Sequence, residues 1–120
     1  MHKILLVEND AANRALLLAV LKPEGYELLT AENCKQGLEL AEREQPDLIL
    51  IDLQLPLSNR YDVIRHLKTH TLTRRIPIIA LLANAAPGER DRALDAGCDG
   101  CIVEAVDAAA LPQQVRLFLR

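Results

Sequence analysis

The chain has 120 residues, half of them apolar, and a formal charge of −3 at pH 7. That length suits one domain, spanning 1–120, which buries about two thirds of its unfolded surface, and the charge gives no electrostatic reason to expect nucleic acid or an anionic membrane as partner. No apolar stretch approaches the roughly 20 residues that span a bilayer, and Met1-His2-Lys3 runs straight into a strand pattern, leaving no room for a signal peptide. Aromatic residues are restricted to Tyr26, Tyr61 and Phe118, so the core must be aliphatic. The odd set Cys34, Cys98 and Cys101 argues against a disulfide framework and for a reducing cytoplasm.

Strand and helix patterns alternate five times along the chain without a linker or repeat. Ile4 to Val7 is a short apolar run. Asp10 is a good helix cap, and the Ala- and Leu-rich stretch Ala11 to Leu21 follows it until Pro23 and Gly25 stop the helix. Tyr26 to Thr30 reads as a second strand, more polar and so nearer an edge. Asn33 can cap a second helix, with Cys34, Leu38 and Ala41 at helical spacing, ending before Pro46. Leu48 to Ile51 is the third strand, and Leu53 to Arg60 a loop with Pro56 and Asn59 as turn residues. A third helix turns Val63, Ile64 and Leu67 inward and points Arg65 and Lys68 away. Pro77 to Leu82 is the fourth strand; Pro87 opens a fourth helix and Gly97 closes it. Cys101 to Val103 is the fifth. Asp107 looks like the cap of a last helix, but Pro112 would break it at a cost of about 3 kcal/mol in a helix interior, so this helix is expected to bend there or start late.

Apolar runs without polar alternation are strands covered by helices on both faces, hence a five-stranded parallel sheet with right-handed crossovers. Order 2-1-3-4-5 places the switch point between strands one and three. Three of the runs end on a carboxylate: Val7 on Glu8, Ile51 on Asp52, Val103 on Glu104. Neighbouring strands would bring these acids into one crevice, which favours a cation, either a divalent ion or a Lys or Arg from a partner; equally, Glu104 could lie in water.

The stretches Lys3–Asp10, Pro46–Pro56, Ile76–Leu81 and Ala96–Gly100 resemble the receiver domain of two-component response regulators, end to end. The resemblance implies the flavodoxin-like (βα)5 fold, with Asp52 as acceptor of a phosphoryl group from a histidine kinase. It implies Mg²⁺ held by Glu8, Asn9, Asp52 and the backbone carbonyl of Gln54. It also implies a binding module and not an enzyme, with a kinase, phosphotransfer or effector protein, or a second copy, meeting the helix 4–strand 5–helix 5 face near Arg90, Ala105, Val106 and Leu111. Departures from the family pattern put the chemistry in doubt. Asn9 replaces a second metal-holding acid, which weakens Mg²⁺. Leu82 stands where a Ser or Thr donates, leaving a phosphoryl oxygen unpaired at about 1–3 kcal/mol. Glu104 stands for a Lys, Ala105 for a Pro, and Cys101 for the aromatic switch residue. Exchanging +1 for −1 at about 5 Å and an effective dielectric near 20 is worth roughly 6 kcal/mol as an upper bound, or about four decades of rate.

The reading is thus an atypical receiver with impaired phosphorylation, without an effector domain in these residues. The alternative is a working phosphoacceptor. A flavodoxin-like cofactor protein is a third reading, which the carboxylates after strand one disfavour because a phosphate-bearing cofactor wants backbone donors there. Cys98-Asp-Gly-Cys101 precedes a strand and lacks a second ligand pair, so it reads as packing. His66 and His70, four apart on a helix, could grip a metal but lack a third ligand in sequence.

Overall fold

The computed structural model describes residues 2–53, 60–82, 88–103 and 107–119, and of Arg60 only the backbone. Gln54, Pro56, Asn59, Pro87, Glu104, Ala105 and Val106, all singled out above, lie outside the described residues. Strands β1 (Lys3–Val7), β2 (Glu27–Ala31), β3 (Leu48–Asp52), β4 (Ile78–Leu82) and β5 (Gly100–Val103) alternate with helices α1 (Ala11–Leu21), α2 (Cys34–Glu44), α3 (Arg60–Thr69), α4 (Glu89–Ala96) and α5 (Leu111–Arg116). All neighbouring strands pair in parallel, in the order β2-β1-β3-β4-β5 expected from the alternation.

The missing polar alternation has a simple cause. Successive residues of a strand face opposite sides of the sheet, and both sides are dry. Leu5, Val7, Ile49, Ile51, Ile78 and Ala80 pack under Cys34 and Ala41 of α2, Ile64 and Leu67 of α3, and Ala93 and Ala96 of α4. Ile4, Leu6, Leu48, Leu50, Ile79 and Leu81 pack on the other side beneath Leu17 and Leu21 of α1 and Leu111 and Val115 of α5. Each such Ile or Leu contributes about 1.5–3 kcal/mol when fully buried. Gly37 lets α2 approach β1 closely: a Cβ there would stand 2.9 Å from Val7 Cγ2.

The caps expected of α1 and α2 are in place, whereas the N-cap of α5 is Ala110 and not Asp107. Asp10 accepts from Ala12 N at 3.1 Å. Asn33 accepts from Gln36 N at 2.8 Å, while the Gln36 side chain returns to Glu32 N at 2.8 Å. α1 passes into a 3-10 turn, Lys22–Glu24, closed by Gly25 at φ +83°. Every strand bound that differs from the sequence reading does so by one residue: β1 and β5 start one earlier, β3 ends one later, β2 shifts one later at both ends, and β4 starts one later. β2 starts at Glu27, whose N–H joins His2 O at 2.9 Å, and Pro77 enters the sheet only through its carbonyl because it has no N–H.

The last helix starts late, one of the two outcomes expected from Pro112. Residues 108–110 form a turn in which Asp107 Oδ1 accepts from Ala109 N at 2.9 Å. α5 then begins at Leu111 with the proline in its first turn, where its missing N–H is harmless.

Lys68 is a correction. It does not point away into solvent; its side chain is 17% exposed, pairs with Asp99 Oδ2 at 2.7 Å and donates to Ile76 O at 2.9 Å. Its long stem lies along the protein while the ammonium reaches across to the turn before β5.

Candidate functional site

β1 and β3 are neighbours, with Val7 opposite Ile51, so the residues that follow in each strand emerge together at the carboxyl edge of the sheet. Those residues are Glu8 and Asp52. Both are almost fully enclosed, with exposures of 1% and 5%. Their carboxyl groups are hydrogen-bonded to one another, an arrangement that requires a shared proton or a cation.

The surroundings of Glu8 are fully specified. Oε1 accepts the Asp10 N–H at 3.1 Å, and Oε2 accepts the Asn13 amide at 2.8 Å. The Glu8 carbonyl takes the Arg14 guanidinium at 2.8 Å, and the same guanidinium stands 3.6 Å from Glu32. Burial, followed by the hydrogen bond to Asp52, pushes the Glu8 carboxyl up to about 7, against the opposing pull of Asp10 N–H and Asn13. At neutral pH Glu8 is therefore about half protonated. Asn13 and Arg14 were not read from the sequence as site residues. The available signal was positional, since the first turn of a helix that follows β1 directly must overhang the end of that strand.

Glu8 and Asp52 form one wall of an open groove of about 410 Å³, bordered also by Asn9, Asp10, Ala12, Asn13 and Leu16. Asn9 is exposed at its mouth. The donor set is hard oxygen: two carboxylates and an amide carbonyl, which suits Mg²⁺ over softer metals. Leu82, the last residue of β4, is buried at 3% exposure and presents only methyl groups. Its neighbour Leu81 is opposite Asp52 in the ladder. Cys101 is half-buried in β5, and burial raises its thiol. The third acid, Glu104, lies outside the described residues, so two of the three expected carboxylates are seen to converge.

The weaker motifs also resolve. Cys98 is buried and its thiol is pushed up to about 12, chiefly by that burial, which disfavours the reactive thiolate. His66 and His70 stack with ring centroids 5.6 Å apart and face Glu42 of α2, whose Oε1 lies 3.5 and 3.9 Å from their Nε2 atoms. Glu42 is the third candidate ligand that sequence spacing did not offer. However, His70 Nδ1 accepts the Leu72 N–H at 3.2 Å, so neutral His70 carries its proton on Nε2, where a metal would have to bind. No group of three suitable ligands stands at metal-binding geometry among the described residues.

A doubly wound parallel sheet with paired carboxyls at its switch point defines an α/β signalling domain of the receiver class. The chain belongs to the response regulator receiver domain family, whose model matches residues 4–116. It is 31% identical over 116 residues to the polar-differentiation response regulator DivK of Brucella anthropi, covering 97% of this chain and 94% of that protein. The receiver domain of sensor histidine kinase PA1611 from Pseudomonas aeruginosa, a structure with a magnesium ion coordinated in its active site cleft, superposes with a TM-score of 0.89 at 33% identity, covering 98% of this chain and 96% of that one. The chemotaxis response regulator CheY4 of Vibrio cholerae shares the fold, with a TM-score of 0.91 at 22% identity and coverage of 99% of each chain. Membership places the chain in two-component signalling.

Proposed function

We propose that this chain is a binding and signalling receiver, not an enzyme, whose phosphorylation chemistry is impaired. The observation that carries the reading is Leu82. It ends β4 as a buried aliphatic residue, one position beyond the partner of Asp52 in the ladder. A phosphoryl group on Asp52 needs fixed donors around its oxygens, and a leucine has none. Asn9 offers one neutral oxygen where the family pattern has an acid, and Glu104 stands where that pattern has an ammonium group.

Glu8 and Asp52, with Asn9 and the Gln54 carbonyl, are the groups that would hold Mg²⁺. The ion supplies charge neutralisation on the transferring oxygens when it is present. To bind it, Glu8 must give up its proton, which together with the neutral Asn9 weakens affinity.

The partners we propose are a histidine kinase, phosphotransfer or effector protein, or a second copy, meeting the α4–β5–α5 face. The compartment we propose is the cytoplasm, on the three free thiols.

A second reading is a working phosphoacceptor, favoured by the adjacency of Glu8 and Asp52 and by the magnesium in the similar Pseudomonas receiver domain. In it an Asp52 oxygen bonds to phosphorus as the bond from phosphorus to a partner histidine nitrogen breaks. Incubation with acetyl phosphate and Mg²⁺, read by intact mass, separates the two. Slow or absent labelling is expected, and rapid stoichiometric labelling of Asp52 establishes the second reading instead. Leu82→Thr combined with Glu104→Lys should raise the labelling rate; an unchanged rate would show that these two residues are not the cause.

A further inference from the structure

The opposite edge of the sheet carries a second built surface, whose argument is independent of the state of the Asp52 crevice. The turn from α3 to β4, residues 70–77, is fastened from beneath. Thr73 is fully buried and its hydroxyl donates to Leu67 O at 2.7 Å. Its N–H and that of Arg74 both reach His70 O, at 3.1 and 2.9 Å, and Lys68 ties Ile76 O to Asp99.

This turn presents Arg74 and Arg75, both exposed, between two grooves of about 430 and 450 Å³. Asp47 lines the first groove and Asp99 the second, and both acids are engaged. Asp47 accepts Lys3 N at 2.7 Å, while Asp99 accepts Ile78 N at 2.8 Å and holds Lys68. Neither arginine side chain makes a hydrogen bond or ion pair with any described residue. Each groove also has a large aliphatic side chain in the open, Leu72 at 53% and Leu117 at 82% exposure.

We propose that this face docks an acidic, leucine-bearing segment of a partner protein. Two unpaired guanidinium groups on a fastened turn are ready forks for carboxylates. The exposed leucines supply apolar contact on either side. The chain's net charge of −3 opposes a polyanion such as nucleic acid, so this local basic patch favours a short acidic peptide.

The test uses the full chain labelled with ¹⁵N and a short synthetic peptide of glutamate and leucine. Its controls are the same peptide with lysine for glutamate, and inorganic phosphate. Amide shifts should gather in residues 70–77 and at Leu117 and Phe118 with the acidic peptide alone. Arg74→Glu with Arg75→Glu should weaken binding roughly tenfold or more, the scale of hydrogen bonds to charged groups, and Arg74→Gln with Arg75→Gln less so. Mg²⁺ binding should be unchanged in both variants. Three results would each overturn the proposal: shifts spread over exposed basic residues such as Arg43 and Arg92, equal shifts from phosphate, or self-association in the absence of peptide that the charge reversal abolishes, which would make a second copy the occupant.

Discussion

Glu8 decides how this protein responds to pH. Its carboxyl moves from an ordinary 4.5 in the unfolded chain to about 7 in the fold. The native state therefore holds the proton more tightly than the unfolded state, so stability falls as pH rises from 4.5 through 7 and levels off above. The corresponding penalty at pH 8 is about 3 kcal/mol as an order of magnitude, at 1.36 kcal/mol for each pH unit. Glu8→Gln should remove most of it. Urea denaturation at pH 5 and pH 8 should show the variant gaining on the parent only at the higher pH; equal gains at both would mean that Glu8 does not carry the proton. Asn13→Ala removes a donor that favours the charged form of Glu8. The Glu8 titration, followed by carboxyl ¹³C shifts, should move upward. The same residue should make Mg²⁺ affinity climb between pH 6 and pH 8, which calorimetry in buffers of different ionisation heat checks through the released proton.

At the scale of elements, most of the architecture was legible. Ile4–Val7, Leu48–Ile51 and Ile78–Leu82 carry no polar residue because both faces are covered, and that alone separates this sheet from a half-exposed one. Pro112 announced a bent or delayed helix because backbone chemistry leaves few options, and the delayed start is what forms. The crevice was readable too, since strand ends can be counted once the order is known. Lys68 was misplaced because helical periodicity reports where a Cα sits but not how far a four-carbon stem reaches. Asn13 and Glu42 were missed because each acts across a gap between elements. Gly37 makes a sharper element-level prediction. Adding a methyl group 2.9 Å from Val7 Cγ2 forces α2 off β1, so Gly37→Ala should cost about 1–3 kcal/mol, the usual range for overpacking. Thermal unfolding measures this. A stability gain would mean that the helix propensity of alanine outweighs the clash.

For the molecule as a whole, a parallel sheet sends all its carboxyl ends to one edge and all its amino ends to the other. Here the two edges differ in chemistry: a carboxyl pair at the first, two exposed arginines with no partner among the described residues at the second. A partner on the arginine edge leaves the crevice uncovered, so peptide binding and Mg²⁺ binding should be additive. Calorimetry with both present should return the separate affinities; a shift beyond about threefold would reveal coupling near the lower end of ordinary allosteric values.

The bridge between Lys68 and Asp99 has a consequence for how such experiments can be run. Its two side chains are 17% and 41% exposed, so dissolved ions reach it less readily than they reach open guanidinium groups. Sodium chloride raised towards about 1 M, where screening acts over about 3 Å, should strip an acidic ligand from Arg74 and Arg75 while the turn that displays them keeps its shape. Ionic strength thereby becomes a reversible off-switch for attachment alone, and amide exchange rates across residues 70–77 should stay level as the ligand departs.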